Sequence, residues 1–227
     1  MWTVRKKPQP RKDIKRVLIV NSKGGSGKST LATNLCCFFL AEGKKTALVD
    51  YDPQGSSMRW LRERPDDLPK IHGIPAFNKN FSRFTRSWIL SLPIDVTHVV
   101  IDTPAGLSGA SLNDLLERAD VILIPVLPSP IDIRASADFV GKVFLSRVYR
   151  SSSKSLGVIA NRVLIESAIY HELERFLLNL SIPFVSTFTE HRHYLQAAEK
   201  GVGINELSAQ CDELAAWRNL VRWIEQQ

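Results

Sequence analysis

VLIVNSKGGSGKST, residues 17–30, joins an apolar run to a glycine-rich turn and then to a helical sequence. A strand that ends in such a turn directs several backbone N–H groups at one point. The N-terminus of the following helix adds partial positive charge, so an anion binds there. The glycines let the backbone approach a phosphate without an intervening Cβ. The pattern predicts a phosphate-binding loop followed by a helix from Lys28 to about Glu42.

The loop departs from the common pattern G-x-x-x-x-G-K-[ST], because Ser22 occupies the position of the first glycine. Lys28 is placed to reach the β- and γ-phosphates of a bound nucleotide, and the Ser29 hydroxyl is placed to bind Mg²⁺. One lysine is sufficient for these tasks. The second lysine of the loop, Lys23, therefore calls for a separate explanation.

Two further segments place an acidic residue directly after a short apolar run. TALVD ends at Asp50 and VTHVVID ends at Asp102. Parallel α/β sheets bind their ligands at the carboxyl ends of the strands, and phosphoryl transfer needs Mg²⁺ and a positioned water. Either acid alone is equally well explained as a turn former or helix cap. Two such acids after a phosphate loop favour a site that hydrolyses a nucleotide.

Strand-like runs alternate with helical stretches along the whole sequence, at residues 17–21, 46–50, 71–76, 96–102, 120–126, 156–161 and 183–187. This alternation predicts an α/β fold with a mainly parallel, twisted sheet flanked by helices on both faces. The 227 residues contain no internal repeat and no long polar linker. We therefore expect a single domain over residues 16–227.

The charge of the chain is concentrated at its beginning. Residues 1–16 contain seven Lys or Arg and one Asp, which accounts for most of the net charge of +7. Two prolines lie in the same segment. We expect residues 1–15 to form a flexible basic arm.

Several classes of protein are disfavoured by composition. Three cysteines, Cys36, Cys37 and Cys211, form no spaced framework, which is typical of a reduced, cytoplasmic protein. There is no signal peptide and no run of about 18 apolar residues, so we expect no membrane span. Phe77, Phe81, Phe84 and Trp88 have near-helical spacing and are better explained by a packed helix than by base stacking.

The motifs SKGGSGKST, DYDPQG and VVIDTPAG, in this order and spacing, resemble the ParA/MinD family of deviant P-loop ATPases. The resemblance runs from about Arg16 to the end of the chain, and residues 192–201 resemble a late segment of the family. It implies a P-loop NTPase fold and a Mg²⁺-dependent ATPase. Asp50 would position the attacking water, and both Asp50 and Asp102 would contact Mg²⁺ through water. The residues implied in binding ATP are Lys23, Gly24, Gly25, Ser26, Gly27, Lys28, Ser29, Thr30, Asp52, Asn161 and Arg162.

Lys23 matches the signature lysine of that family. The resemblance implies that Lys23 reaches across a nucleotide-sandwich homodimer to the phosphates of the partner subunit. An arginine finger supplied by a second protein follows the same physical logic, because the cation arrives only when the second subunit does. Dimerisation would then depend on ATP, and hydrolysis would reverse it.

Three outputs of such an ATPase remain open. A ParA-like protein would bind DNA without sequence preference, and the basic candidates for this are Arg147, Arg150, Lys154, Arg218 and Arg222. A MinD-like protein would need a basic amphipathic tail, but the last helical segment is better explained as packing on the sheet. A nucleotide-binding scaffold with negligible turnover is the third alternative.

We favour the first output. The chain would position or segregate a plasmid, a chromosome region or a protein assembly, with help from a partner that stimulates hydrolysis. The expected location is cytoplasmic, with association to the bacterial nucleoid.

Overall fold

A single sheet of seven parallel strands organises the described part of the chain, in the order β3-β2-β4-β1-β5-β6-β7. The computed structural model describes residues 14–77, 89, 91–179, 182–207 and 213–227. The strands are β1 (Lys15–Ile19), β2 (Thr46–Asp50), β3 (His72–Pro75), β4 (His98–Asp102), β5 (Val121–Val126), β6 (Ser155–Val163) and β7 (Phe184–Thr189). The parallel sheet and its seven strands confirm the fold predicted from the alternation of apolar runs.

Some predictions fall outside the described residues. They concern the basic arm up to residue 13, the aromatic residues Phe81, Phe84 and Trp88, and Cys211. These stay predictions.

Helices follow most strands within the described ranges. They are α1 (Lys28–Ala41), α2 (Ser56–Arg62), α3 (Gly109–Arg118), α4 (Pro130–Leu145), α5 (Arg147–Arg150), α6 (Ala168–Leu178), α7 (Arg192–Glu199) and α8 (Glu213–Glu225), with a 3-10 turn at Ile204–Glu206. The helix predicted after the phosphate loop is α1. It ends where Gly43, with φ +74°, turns the chain towards β2.

Both faces of the sheet are covered by helices. In β1, Val17 and Ile19 belong to the apolar core beneath α1, α2 and α8, whereas Leu18 belongs to the core beneath α3, α4 and α6. Successive side chains of a strand point to opposite faces, so a strand that is buried on both faces reads as a continuous apolar run. The run at residues 17–20 has this origin.

The strand order places the phosphate loop at the middle of one edge of the sheet. β1 lies between β4 and β5, with β2 and β3 on one side and β6 and β7 on the other. The chain therefore leaves β1 in one direction and later returns to build the other half. Ligands of open parallel sheets bind at such a switch point, outside the carboxyl ends of the strands.

The terminal helix α8 is part of the core. Trp217 stacks between Phe38 and Phe188, at ring-centroid distances of 5.2 and 4.4 Å, and Leu220 and Ile224 are fully buried. This confirms the interpretation of the last helical segment as a packed helix. Over the described ranges, every helix is too short or too polar to cross a bilayer.

Candidate nucleotide-binding site

A cavity of about 720 Å³ opens at the carboxyl edge of the sheet, and we call it the carboxyl-edge cavity. Its walls come from the phosphate loop, the loop between β2 and α2, the ends of β6 and β7, and α7. The predicted nucleotide-binding residues that line it are Gly24, Gly25, Gly27, Lys28, Ser29, Thr30, Asp52, Asn161 and Arg162. The structure thus brings together segments that are more than 100 residues apart in sequence.

The phosphate loop depends on glycine at position 27. Gly27 has φ +88° and is the N-cap of α1. A Cβ there would also collide with the side-chain amide of Asn161, which donates a hydrogen bond to the carbonyl of Ser26 at 2.8 Å. Asn161 thereby fixes the end of β6 against the phosphate loop. Ser26 itself is buried, and its side chain bonds within the loop.

Lys28 lies between the phosphate loop and the carboxylates. Its Nζ donates to the carbonyl of Lys23 at 2.9 Å, which holds the ammonium group inside the curve of the loop. Burial lowers the pKa of Lys28, and the charges of Asp102 and Asp52 oppose that change. The cation is therefore only partly balanced by these two acids, and a bound phosphate would complete its coordination.

Asp50 and Asp102 are neighbours at the ends of β2 and β4, and both are fully buried. Asp50 accepts hydrogen bonds from the backbone N–H groups of Asp52 and Met58 at 2.9 and 3.2 Å. Asp102 Oδ2 accepts from the Ser57 hydroxyl at 2.5 Å. The pKa of Asp50 is raised to about 6, mainly by burial and secondly by the negative charge of Asp102.

The donor set at these two acids fits a divalent cation. Burial also raises the pKa of Asp102, against the opposing effect of its bond from Ser57. The other oxygen of Asp102, Oδ1, is buried and has no hydrogen-bond partner among the described residues. Two adjacent carboxylates with a free acceptor oxygen supply the hard oxygen ligands that Mg²⁺ prefers. Ser29, the predicted magnesium ligand of the loop, lines the same cavity.

Another wall of the cavity is formed by residues 161–162, which adjoin the phosphate loop, and by residues 189–198. Arg162 has φ 54°, a strained value for a residue other than glycine, and its guanidinium donates to Glu190 at 2.8 Å. Tyr194 and Leu195, on α7, line the same wall. Asn161 and Arg162, which the resemblance implied in binding ATP, belong to this wall, and we call it the base wall.

Sequence reasoning missed several residues of the site. Ser57 binds Asp102 directly, and its position at the start of a helix after DYDPQG was the available signal. Glu190 pairs with Arg162 across two strands, and nothing in the sequence indicated that contact. Tyr194 and Leu195 lie within residues 192–201, which resemble a late segment of the family, but that resemblance implies no role for either residue.

Lys23 lies apart from the residues that line the carboxyl-edge cavity. Its Nζ is 3.5 Å from Asp132 Oδ1, and its side chain is 37% exposed. Asp132 lies in the first turn of α4, where its backbone N–H donates to the N-cap residue Ser129 at 3.1 Å. The two lysines of the loop therefore have different surroundings, since only Lys28 faces the cavity.

The predicted DNA contacts occupy two separate surfaces. Arg147 and Arg150 lie on α5, which packs with α3 and α4, whereas Arg218 and Arg222 are exposed on α8 at the opposite face of the sheet. Lys154 donates to the carbonyls of residues 117 and 119 at 3.1 and 2.6 Å, and so caps the end of α3. The five residues do not form one continuous basic patch.

Residues 17–201 match the CobQ/CobB/MinD/ParA nucleotide-binding domain. The chain belongs to this family. A protein named "Maintenance of carboxysome distribution protein A" from Halothiobacillus neapolitanus is 29% identical over 199 residues, covering 84% of this chain and 87% of the relative. A protein of the same name from Gloeobacter kilaueensis is 31% identical over 195 residues, covering 83% and 82%.

A solved structure supports the same fold. The septum site-determining protein MinD of Pyrococcus horikoshii, complexed with Mg-ADP, superposes with a TM-score of 0.70 at 18% identity, and the alignment covers 94% of this chain and 96% of that one. The family match over residues 17–201 confirms the resemblance to the ParA/MinD family, which was drawn from three short motifs. The chain is a nucleotide-binding protein of ParA/MinD type.

Proposed function

We propose that this chain is an ATP-driven positioning switch that dimerises on ATP, binds DNA without sequence preference and places a cargo. The observation that carries the proposal is the separation of the two loop lysines. Lys28 faces the carboxyl-edge cavity, whereas Lys23 lies outside it and, among the described residues, forms an ion pair with Asp132 at a partly exposed position. A cation in that place is available to a second subunit.

Different residues at the cavity serve different steps of hydrolysis. Lys28 and the loop N–H groups bind the phosphates, while Ser29 and Asp102 are the residues that would hold Mg²⁺. Bound Mg²⁺ neutralises charge on the phosphates. Asp50 holds the attacking water and can accept its proton near neutral pH, because its pKa is about 6.

Lys23 supplies the dimer-dependent step. In the dimer it leaves Asp132 and approaches the phosphates bound by the partner subunit, where it stabilises the charge of the transition state. An exposed ion pair such as Lys23–Asp132 contributes little, about 0–1 kcal/mol, so its loss is a small obstacle. Dimerisation and ATP hydrolysis then both depend on Lys23.

The output surface favours DNA over a membrane. The apolar residues of α8 are buried in the core, so that face of the helix is not available to a lipid surface. Arg218 and Arg222 are exposed on the opposite side of α8 and can contact phosphates. The names of the two relatives point to a large protein assembly as the cargo, with a plasmid or chromosome region as the alternatives. A partner that stimulates hydrolysis is part of this proposal.

The lysine separation is tested with three variants. Lys23→Ala should bind ATP normally but lose ATP-dependent dimerisation, measured by sedimentation, and lose hydrolysis. Lys28→Ala should lose ATP binding itself. Lys45→Ala, which removes an exposed lysine at the start of β2, is the matched control and should behave as wild type. Normal dimerisation and turnover in Lys23→Ala would reject the proposal.

The choice of output is tested by retention on random duplex DNA and on anionic liposomes, with ATP and with ADP. Retention on DNA that requires ATP and falls steeply with salt supports the proposal. Retention on liposomes alone would indicate the MinD-like alternative. ATP binding without measurable hydrolysis, with or without DNA, would indicate a scaffold.

A further inference from the structure

Arg64, just beyond the end of α2, is a buried cation that donates hydrogen bonds from each of its three guanidinium nitrogens. Its side chain is 4% exposed. Two guanidinium nitrogens donate to the two carboxylate oxygens of Glu206 at 2.8 and 2.7 Å. Nε also donates to the carbonyl of Pro69 at 3.1 Å and Nη1 to the carbonyl of Gly201 at 3.3 Å, and the guanidinium lies over the ring of Trp60. Such bidentate ion pairs fix the relative orientation of the two side chains as well as pairing their charges.

Arg64 and Glu206 follow two elements that contribute to different walls of the carboxyl-edge cavity. α2, which Arg64 follows, begins beside the two carboxylates, where the Ser57 hydroxyl donates to Asp102 and the N–H of Met58 donates to Asp50. We call this side of the cavity the metal wall. Glu206 belongs to residues 201–206, which directly follow α7. α7 carries Tyr194 and Leu195, which belong to the base wall. The ion pair therefore connects the two walls at a position outside the cavity.

Further contacts hold the same junction. The indole N–H of Trp60 donates to the carbonyl of Val202 at 3.3 Å, and Glu206 also accepts from the N–H of Gly203 at 2.8 Å. The backbone of Gly201 approaches that of residues 63–64 so closely that a Cβ at position 201 would collide with it. The contact between the walls is thus made by directional bonds and backbone packing together.

Stability alone is a poor reason for burying this ion pair. Desolvation of two charges offsets most of their attraction, and apolar residues of similar size often stabilise a fold equally well or better. The directional bonds do what apolar packing does less well, because they fix how far α2 stands from residues 201–206.

We infer that Arg64 and Glu206 are positioning residues of the nucleotide site, which set the separation between its metal wall and its base wall. Neither residue lines the cavity, so both act through α2 and α7. A ligand that spans both walls depends on this separation, whereas a ligand that touches only the phosphate loop does not. The inference rests on the proposed nucleotide site, and it is independent of dimerisation and DNA binding.

The test compares Mg-ADP with Mg-pyrophosphate by titration calorimetry on the full chain. The double variant Arg64→Met/Glu206→Met removes both charges and leaves no unpaired buried ion, so it should fold. We expect its affinity for Mg-ADP to fall about tenfold, with pyrophosphate affinity unchanged within about twofold. Arg64→Lys, which keeps the charge but not the bidentate ion pair, should lose Mg-ADP affinity to an intermediate degree.

Leu173→Ala is the control for general destabilisation, because Leu173 is fully buried beneath the opposite face of the sheet. It should lower the thermal unfolding temperature and leave both affinities unchanged. Unchanged Mg-ADP affinity in the folded double variant overturns the inference, and so does an equal loss for both ligands. Failure of the wild-type protein to bind either ligand would overturn the proposed nucleotide site as well.

Discussion

Asp50 is expected to make the nucleotide-free protein less stable as the pH rises. Burial and the charge of Asp102 raise its pKa from 3.8 to about 6 in the folded state. The folded protein therefore binds this proton more tightly than the unfolded chain does. The resulting stabilisation is complete below about pH 4 and is lost as the pH rises through about 6. The whole difference corresponds to about 3 kcal/mol, of which about 1 kcal/mol falls between about pH 5 and about pH 7.5.

Asp50→Asn removes this titration. The free energy of unfolding of the variant, relative to wild type, should therefore rise by about 1 kcal/mol between about pH 5 and about pH 7.5. Taking the difference at each pH cancels the constant cost of altering the bonds to the N–H groups of Asp52 and Met58. Urea unfolding followed by tryptophan fluorescence, in the presence of EDTA, gives the required values.

The control for this experiment is Asp66→Asn, which neutralises an exposed carboxylate between α2 and β3. Its difference from wild type, measured over the same range, gives the effect of neutralising an exposed carboxylate and is subtracted. A difference for Asp50→Asn that is flat, or that falls as the pH rises, would refute the assignment of Asp50 as a buried, poorly compensated acid.

Three further predictions concern the backbone, the core and the loop lysine. Gly201→Ala should cost about 3 kcal/mol, because φ is +65° and the new Cβ meets backbone atoms, whereas Gly43→Ala, with open space, should cost about 1–2 kcal/mol in the same urea assay. Trp217→Ala should cost about 3–5 kcal/mol, since the side chain is fully buried, and a smaller loss would contradict its place in the core. Asp132→Asn should strengthen ATP-dependent dimerisation by up to about threefold, measured by sedimentation, because it frees Lys23. Weaker dimerisation would show that Asp132 helps the dimer instead.

The strands could be predicted because burial on both faces leaves a direct mark in the sequence. Residues 46–50 and 98–102 are wholly buried, and in each strand the three residues before the terminal aspartate, 47–49 and 99–101, are apolar. The phosphate loop could be predicted for a similar reason, since its conformation needs glycine and a lysine at fixed spacing. These are local requirements, and they are satisfied by residues next to one another in the chain.

The partners of the site residues could not be predicted in the same way. The bond from Ser57 to Asp102, the pairing of Lys23 with Asp132 and the junction of Arg64 with Glu206 each join residues far apart in sequence. Each depends on which strands are neighbours. A sequence of alternating strands and helices is compatible with several strand orders, so it does not say which loops meet.

The sequence by itself therefore determined the class of fold, the phosphate loop and the acids that end two strands, because each follows from short-range constraints on burial and backbone conformation. The tertiary structure decided the rest. Placing β4 between β1 and β2 brings Asp50 and Asp102 together, buries them and raises the pKa of both. The same strand order sets Lys28 towards the cavity and Lys23 beside Asp132. Long-range packing, which no local pattern encodes, gives two lysines five residues apart their different surroundings.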